Sequence, residues 1–319
     1  MYQFRPFRNS DPPRLAEIWR DQPPQRGLIQ PVSPTLLDQF VFSKPYFDPA
    51  GLIVATHGDQ AVGFVHAGFG PNEAETEIDT GIGTTYQLML RSDARQDALA
   101  DELIARAEAY LRDRGAKVIY AGGIRPLNGF YLGLYGGSEL PGVLASDQVL
   151  NAAAARNGYR EIDKVIVLQL DLGSHRQPIT RTQRQLRREV TFFEEYDPPA
   201  ETWWDAVTTA GFERLRFFLQ KAGRKEPLAS VWFWNIEPLS MSWGVPTAGM
   251  FNLEVCSDRR RQGLATFLLG ESLERLKSRG VVRVEAQTMR ENAPALGLYQ
   301  LLGFTRVDEG TVYRKESAS

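Results

Sequence analysis

A chain of 319 residues, 43% hydrophobic and 24% charged, is too long for one ordinary core, and at roughly 150 residues per domain it predicts two. With 37 Lys and Arg against 39 Asp and Glu, the formal net charge of −2 argues against a nonspecific nucleic-acid binder and confines any polyanion contact to a local patch. One cysteine, Cys256, excludes an internal disulfide framework, and three scattered histidines, His57, His66 and His175, offer no multi-ligand metal site.

The opening residues MYQFRPFRNSDPPRL lack the apolar core of a signal peptide, and no apolar run approaches the ~20 residues that span a bilayer. The expectation is a cytoplasmic protein without a membrane partner. The first elements are a strand YQFRPF, a helix from Pro12 to about Arg20 with Asp11 as candidate N-cap, and strands GLIVATH and AVGFVHAG around a Gly58-Asp59 hairpin turn. A strand TTYQLML then runs through the turn SDARQDALA (92–100) into a helix whose Leu99, Leu103, Ala107 and Tyr110 share one face. After the helix end LRDRG and the strand KVIYA comes an aromatic, glycine-rich insertion, RPLNGFYLGLYGGSELPGV (125–143). A helix at about 146–157, the pair Gly158-Tyr159 and the strand KVIVLQLDL (164–172) close this half.

Residues 175–189, HRQPITRTQRQLRRE, read as a linker or a solvated helix face. Their Arg181, Arg184, Arg187 and Arg188 also suit a nucleic-acid arm, which the negative net charge counts against. The expected division is 1–172, an Arg-rich linker 173–190, and 191–319. The second half opens with strand TFFEEY, predicted helices around TWWDAVTTAG and FERLRFFLQKAG, and strands ASVWFWN, SMSWG and TAGMFNLEV. The turn SDRRRQGLA (257–265) leads into a helix with Ala265, Leu269, Leu273 and Leu276 on one face, ending at LKSRG. Strand VVRVEA, a last helix and Gly303-Phe304 follow. Ser257 lies 165 residues after Ser92, and at that offset LKSRG falls on LRDRG, so one α/β unit built on a mixed sheet appears twice.

Between a strand and a helix, Arg260-Arg261-Gln262-Gly263-Leu264-Ala265 has the makings of a phosphate cradle. The first helix amides have no internal partner and carry roughly half a positive charge. Glycine at 263 lets an anion approach the backbone without a Cβ in the way. Alone, R-x-x-G-x-A is an ordinary helix start. Downstream, however, Asn292, Ala295, Leu298, Tyr299, Gly303 and Phe304 form N-x-x-A-x-x-L-Y-x-x-x-G-F. Together the two motifs resemble the GNAT superfamily of N-acetyltransferases, over about 55 residues.

The resemblance implies two tandem domains, each a mixed, mostly antiparallel twisted sheet flanked by helices, similar in layout to mycothiol synthase. It implies acetyl-CoA as co-substrate, no metal, and a small-molecule or peptide amine as acceptor. It places the pyrophosphate on Arg260 and the backbone of Arg261, Gln262, Gly263, Leu264, Ala265 and Thr266, with Val255 beside them. Asn292 falls by the pantetheine arm and Tyr299 by the sulfur. In the first half the turn glycine is Ala98 beside Asp97, and the asparagine and tyrosine positions are Asp147 and Ala154. That half reads as a degenerate copy.

The family mechanism needs a neutral amine, and an alkylammonium of pKa near 10.4 is only ~1 part in 2500 neutral at pH 7. A base or water chain must remove a proton. A backbone amide of the fourth strand would hold the oxyanion, and Tyr299 would support the leaving thiolate. Many members carry a glutamate early on that strand, where this chain has Gly249. Glu254 is therefore the first candidate base, with Glu237 and Glu285 behind it. Cys256 reads as a small buried residue. Trp232, Trp234 and Trp243 either pack or line an acceptor pocket, and Trp203-Trp204 face either the cleft or the other half. The 125–143 insertion either closes over the acceptor site or fills a groove vacated by a lost cofactor. A non-catalytic acyl-CoA sensor is the competing function. The acceptor's identity, and whether the chain is a monomer or homodimer, stay open.

Overall fold

The periodicities resolve into two copies of one unit in the computed structural model, which describes residues 1–176 and 180–316. The first copy runs β1 (Gln3–Pro6), α1 (Pro12–Arg20), α2 (Pro34–Leu37), β2 (Leu52–His57), β3 (Gln60–Pro71), β4 (Ile78–Leu90), α3 (Asp97–Asp113), β5 (Val118–Ala121), β6 (Val143–Leu144), α4 (Gln148–Arg156) and β7 (Arg160–Asp171). A helix α5 (Arg181–Glu189) precedes the second copy: β8 (Thr191–Tyr196), α6 (Trp203–Thr209), β9 (Arg214–Gln220), β10 (Ala229–Asn235), α7 (Glu237–Trp243), β11 (Thr247–Val255), α8 (Leu264–Ser278), β12 (Arg283–Met289), α9 (Ala293–Leu302) and β13 (Thr305–Glu316).

Two element assignments change. The stretch around FERLRFFLQ is strand β9 and not a helix: Phe217 and Leu219, two apart, point into the core while the strand pairs with β8 on one side and β10 on the other. SMSWG is not a strand, because Pro238 opens the helix α7 and Gly244, in the left-handed region at φ 66°, ends it. The Arg-rich segment folds as α5 from Thr180, whose side chain accepts a hydrogen bond from the Gln183 amide. Its Leu186 joins the second core, and residues 177–179 of the expected linker lie outside the described residues. Asp11 stands at the N-cap position of α1, but its carboxylate pairs with the Arg5 guanidinium at 2.7 Å instead of capping the helix.

Among the described residues the strands form one sheet in the order β1-β2-β3-β4-β5-β13-β7-β12-β11-β10-β9-β8, with β6 attached to β13. Only β4–β5 and β11–β12 pair in parallel. The last strands are exchanged. The C-terminal strand β13 pairs with β5 of the first copy, while β7 of the first copy pairs with β12 of the second, and the two exchanged strands pair with each other. Each half-sheet therefore ends on a strand from the other half.

The cores follow this interlocking. One lies under α8 and α9 of the second half, including Leu269, Leu273 and Leu276, and another under α3 and α4 of the first. The third joins both halves: Phe130, Tyr131, Leu134 and Tyr135 of the insertion pack with Phe212, Trp234, Ile236 and Leu239.

Candidate functional site

Strand β11 ends at Val255, and the chain turns through Arg259–Arg261 to Gly263, which caps α8 at φ 81°. A side chain rarely adopts that backbone, so glycine is required by the turn itself. The first intrahelical bond, Phe267 N to Gly263 O, is 2.9 Å long, and the amides of Leu264 to Thr266 precede it. They point outward without a side-chain cap. Arg260 Nε donates to Val255 O at 3.3 Å, and among the described residues the buried Arg259 Nε has no partner and no ion pair ties Arg259, Arg260 or Arg261 to a carboxylate. A cleft of about 1080 Å³ opens here, bordered by Val255, Arg259–Arg261, Gly263–Thr266, Asn292 and Leu298. Donors without acceptors at a positive helix end suit a phosphate group.

The cleft exists because β11 and β12 part. They pair from Thr247 with Arg283 to Met250 with Ala286, after which β11 continues without β12. On its other side β11 is bulged against β10: Phe251 opposes Trp232 and Glu254 opposes Ser230, so Asn252 and Leu253 face one residue, with Asn252 at φ 47°. Such a bulge leaves backbone groups out of the ladder, beside the gap. Asn292 caps α9, its Oδ1 accepting from the Ala295 amide at 3.3 Å, and Tyr299 lies one helix face along with 5% exposure. Gln262 turns its amide to Asp258 O, and Cys256 lines the cleft with its thiol on Pro227 O at 3.1 Å.

Along the same two strands sits a second, narrower cavity of about 90 Å³, where Trp232, Trp234 and Phe251 meet Trp204 and Phe212 of the same half and Leu132, Ser138 and Glu139 of the insertion. The insertion reaches into both halves: Phe130 and Tyr131 pack in the first against His66 and Tyr86, and Leu132, Ser138 and Glu139 wall the cavity of the second. Trp243 is elsewhere, donating to Arg26 O at 2.8 Å, and Trp203 is exposed beside Tyr46.

The carboxylates separate by surroundings. Glu285 is fully buried and satisfied by Arg26 Nη1 at 2.7 Å, Gln169 Nε2 at 2.7 Å and the Ser138 amide at 2.8 Å. Burial still pushes its carboxyl above the usual range, with Arg26 opposing. Glu237 is exposed at the start of α7, away from both cavities. Glu254 is exposed on the cleft wall. Glu139, which the sequence did not single out, borders the aromatic cavity, and desolvation pushes its carboxyl up to about 7 against the pull of Arg125. Burial and then this carboxylate push the Tyr299 phenol up. The only sequence signal was a lone acid within the aromatic, glycine-rich insertion.

The first half's counterpart turn carries its own carboxylate. Asp97 stands in the first turn of α3 and pairs with Arg156 at 3.0 Å, supplying internally the charge balance that an anion would otherwise meet. Asp147 caps α4 as Asn292 caps α9, accepting from Leu150 N at 3.1 Å, and Ala154 is buried. Among the described residues no cluster of His, Cys, Asp and Glu could hold a metal ion, and no helix is long and apolar enough to cross a membrane.

The profile of the Acetyltransferase (GNAT) family matches residues 13–135 and again 180–304. Over 67 residues the chain is 39% identical to the [Ribosomal protein bS18]-alanine N-acetyltransferases of Salmonella typhimurium and Escherichia coli, a match covering 21% of this chain and 43% of those enzymes' length. The fold resembles a GCN5-related glucosamine N-acetyltransferase region of a fungal multi-domain GH3 beta-N-acetylglucosaminidase, with a TM-score of 0.72 at 17% identity over 99% of this chain and 38% of that one. It also resembles a tandem GNAT protein from the clavulanic acid biosynthesis pathway, with a TM-score of 0.67 at 16% identity over 100% and 99% of the two chains.

Proposed function

The chain belongs to the acetyltransferase (GNAT) family, and from that premise we propose that it is an acetyl-CoA-dependent N-acetyltransferase whose single active site lies in the second half, residues 191–319, with 1–172 a silent copy joined to it through 173–190. One observation carries the placement: the turn at Gly263 presents unpaired amides and arginines to an open cleft, whereas the matching turn in the first half is occupied by its own Asp97–Arg156 pair. Under this reading Arg260 and the backbone of Arg261, Gln262, Gly263, Leu264, Ala265 and Thr266 hold the pyrophosphate, Val255 and Asn292 flank the pantetheine arm, and Tyr299 stands by the sulfur.

The bound thioester supplies an electrophilic carbonyl. A backbone N–H freed at the Asn252 bulge is placed to steady the oxyanion that forms there. The acceptor is an amine with an apolar or aromatic body, because its cavity is walled by Trp204, Trp232, Trp234, Phe212 and Phe251. A sensor of acyl-CoA would need the cradle alone, and a phenol beside a carboxylate favours the enzyme.

Thermal shift with acetyl-CoA and with desulfo-CoA, joined to thiol release in the presence of amines, tests this. At 100 times Kd, acetyl-CoA adds ~2.7 kcal/mol of stability. Absence of any shift contradicts the reading. Binding without thiol release from any amine reassigns the chain to the sensor class.

A further inference from the structure

We infer that Glu139, contributed by the silent half, is the general base of the second half's active site, taking in space the place that a glutamate at position 249 would have held. This rests on the function proposed above. Its ground is geometric. Position 249 is glycine, and a Cβ there would stand 3.0 Å from Ser138 Cα and 2.8 Å from Trp234 Nε1. The insertion therefore occupies the space into which a strand side chain would project, and it brings a carboxylate with it.

That carboxylate is held by the second half. Glu285 Oε1 accepts from the Ser138 amide at 2.8 Å, Trp234 Nε1 donates to Ser138 O at 2.9 Å, and Gln287 Nε2 donates to Glu139 O at 2.8 Å. Three side chains from β10 and β12 thus grip the peptides on both sides of Glu139. Gly137 is part of the fit, since a Cβ there would overlap Glu285 Oε1 at 1.5 Å. Among the described residues the Glu139 side chain makes no hydrogen bond, and it borders the aromatic cavity, whereas Glu254 borders the cofactor cleft.

The surrounding charges suit a base poised near neutrality. Arg125 lies near enough to favour the carboxylate, and the charge of Glu139 is felt at the buried Tyr299 phenol. Glu285 beneath is tied to Arg26, Asp205 across the cavity is tied to Arg214 at 2.7 Å, Glu75 accepts from Thr202 at 2.7 Å, and Glu201 is exposed at the rim. One proton of the bound ammonium passes to Glu139. The amine lone pair then forms the C–N bond, the C–S bond breaks, and the second N–H proton reaches the leaving sulfur by way of Tyr299. Glu139 afterwards gives its proton to solvent, so each cycle yields amide, CoA thiol and one proton.

The full-length protein is assayed for CoA release from pH 5.5 to 9 with an alanyl dipeptide, 1,4-diaminobutane and 2-phenylethylamine, as wild type, Glu139→Gln, Glu139→Asp and Glu254→Gln. For the accepted amine, wild-type kcat/KM is expected to rise with pH through an inflection near 7. Glu139→Gln loses that inflection and roughly 10²-fold or more in kcat, with acetyl-CoA affinity unchanged. Glu139→Asp keeps the inflection at reduced rate, and Glu254→Gln, whatever its rate, keeps the inflection near 7. An inflection that survives Glu139→Gln at near wild-type rate, or disappears with Glu254→Gln, overturns the assignment while leaving the proposed function in place. A wild type that binds no acetyl-CoA, or acetylates none of the three amines, removes the function itself.

Discussion

Gly249 and Ser138 belong to different halves and meet at one spot, so close that a single methyl on Gly249 would stand 3.1 Å from Ser138 Cβ and 3.0 Å from its Cα. Under the proposed function, this contact makes the first half part of the active site. Gly249→Ala is expected to cost about 1–3 kcal/mol through overpacking. It should also lower kcat by displacing Glu139 while leaving acetyl-CoA affinity intact. Urea unfolding and an acetyl-CoA titration of the same variant check both parts.

Tyr299 is buried, and burial followed by the Glu139 carboxylate pushes its phenol up. Tyr299→Phe removes one hydroxyl and keeps the ring against Phe304, whose centroid is 5.3 Å away. Turnover should fall roughly 10²-fold, the scale of one acid–base group, at unchanged Kd for acetyl-CoA. Single-turnover kinetics beside calorimetry separates the two.

The exchange of β7 and β13 predicts that the halves unfold together. Loss of Tm measured by tryptophan fluorescence and by far-UV circular dichroism should coincide in one transition. Residues 1–172 produced alone keep a β5 edge without its β13 partner, and should show no cooperative transition of their own. Two separated transitions in the intact chain would contradict the interlocked sheet.

His66 is fully buried against the Tyr131 hydroxyl at 2.9 Å, and burial pushes its pKa down to about 3. The unfolded chain takes up this proton below about 6.5 and the folded chain does not, so stability is lost as pH falls from 6.5 toward 3. Between pH 7 and 5 this one group should remove about 2 kcal/mol. The stability difference between wild type and His66→Gln, measured in urea at both pH values, should shrink by that amount toward acid.

What could be read from the sequence was local. The turn at Gly263 announces itself because a left-handed helix start between a strand and a helix needs glycine, and Asp97 in the first copy reveals its loss. The motif of α9 follows from its own spacing. Strand β9 was misread because RLRFFLQ carries apolar residues at both two- and four-residue spacings, and only pairing with β8 and β10 decides between them. The exchanged strands were illegible for a related reason: β13 beside β5 joins Tyr313 to Ala121, a choice of neighbour that neither segment encodes alone. Glu139 was missed because its position is set by Trp234, Glu285 and Gln287, all far away in the chain.

Calorimetric titration with acetyl-CoA of the wild type, of Gly263→Asp and of Ala98→Asp tests the central claim most directly. One site per chain that disappears in Gly263→Asp and persists in Ala98→Asp is the predicted result. Two sites in the wild type, or undiminished binding by Gly263→Asp, would contradict the placement of the active site in the second half.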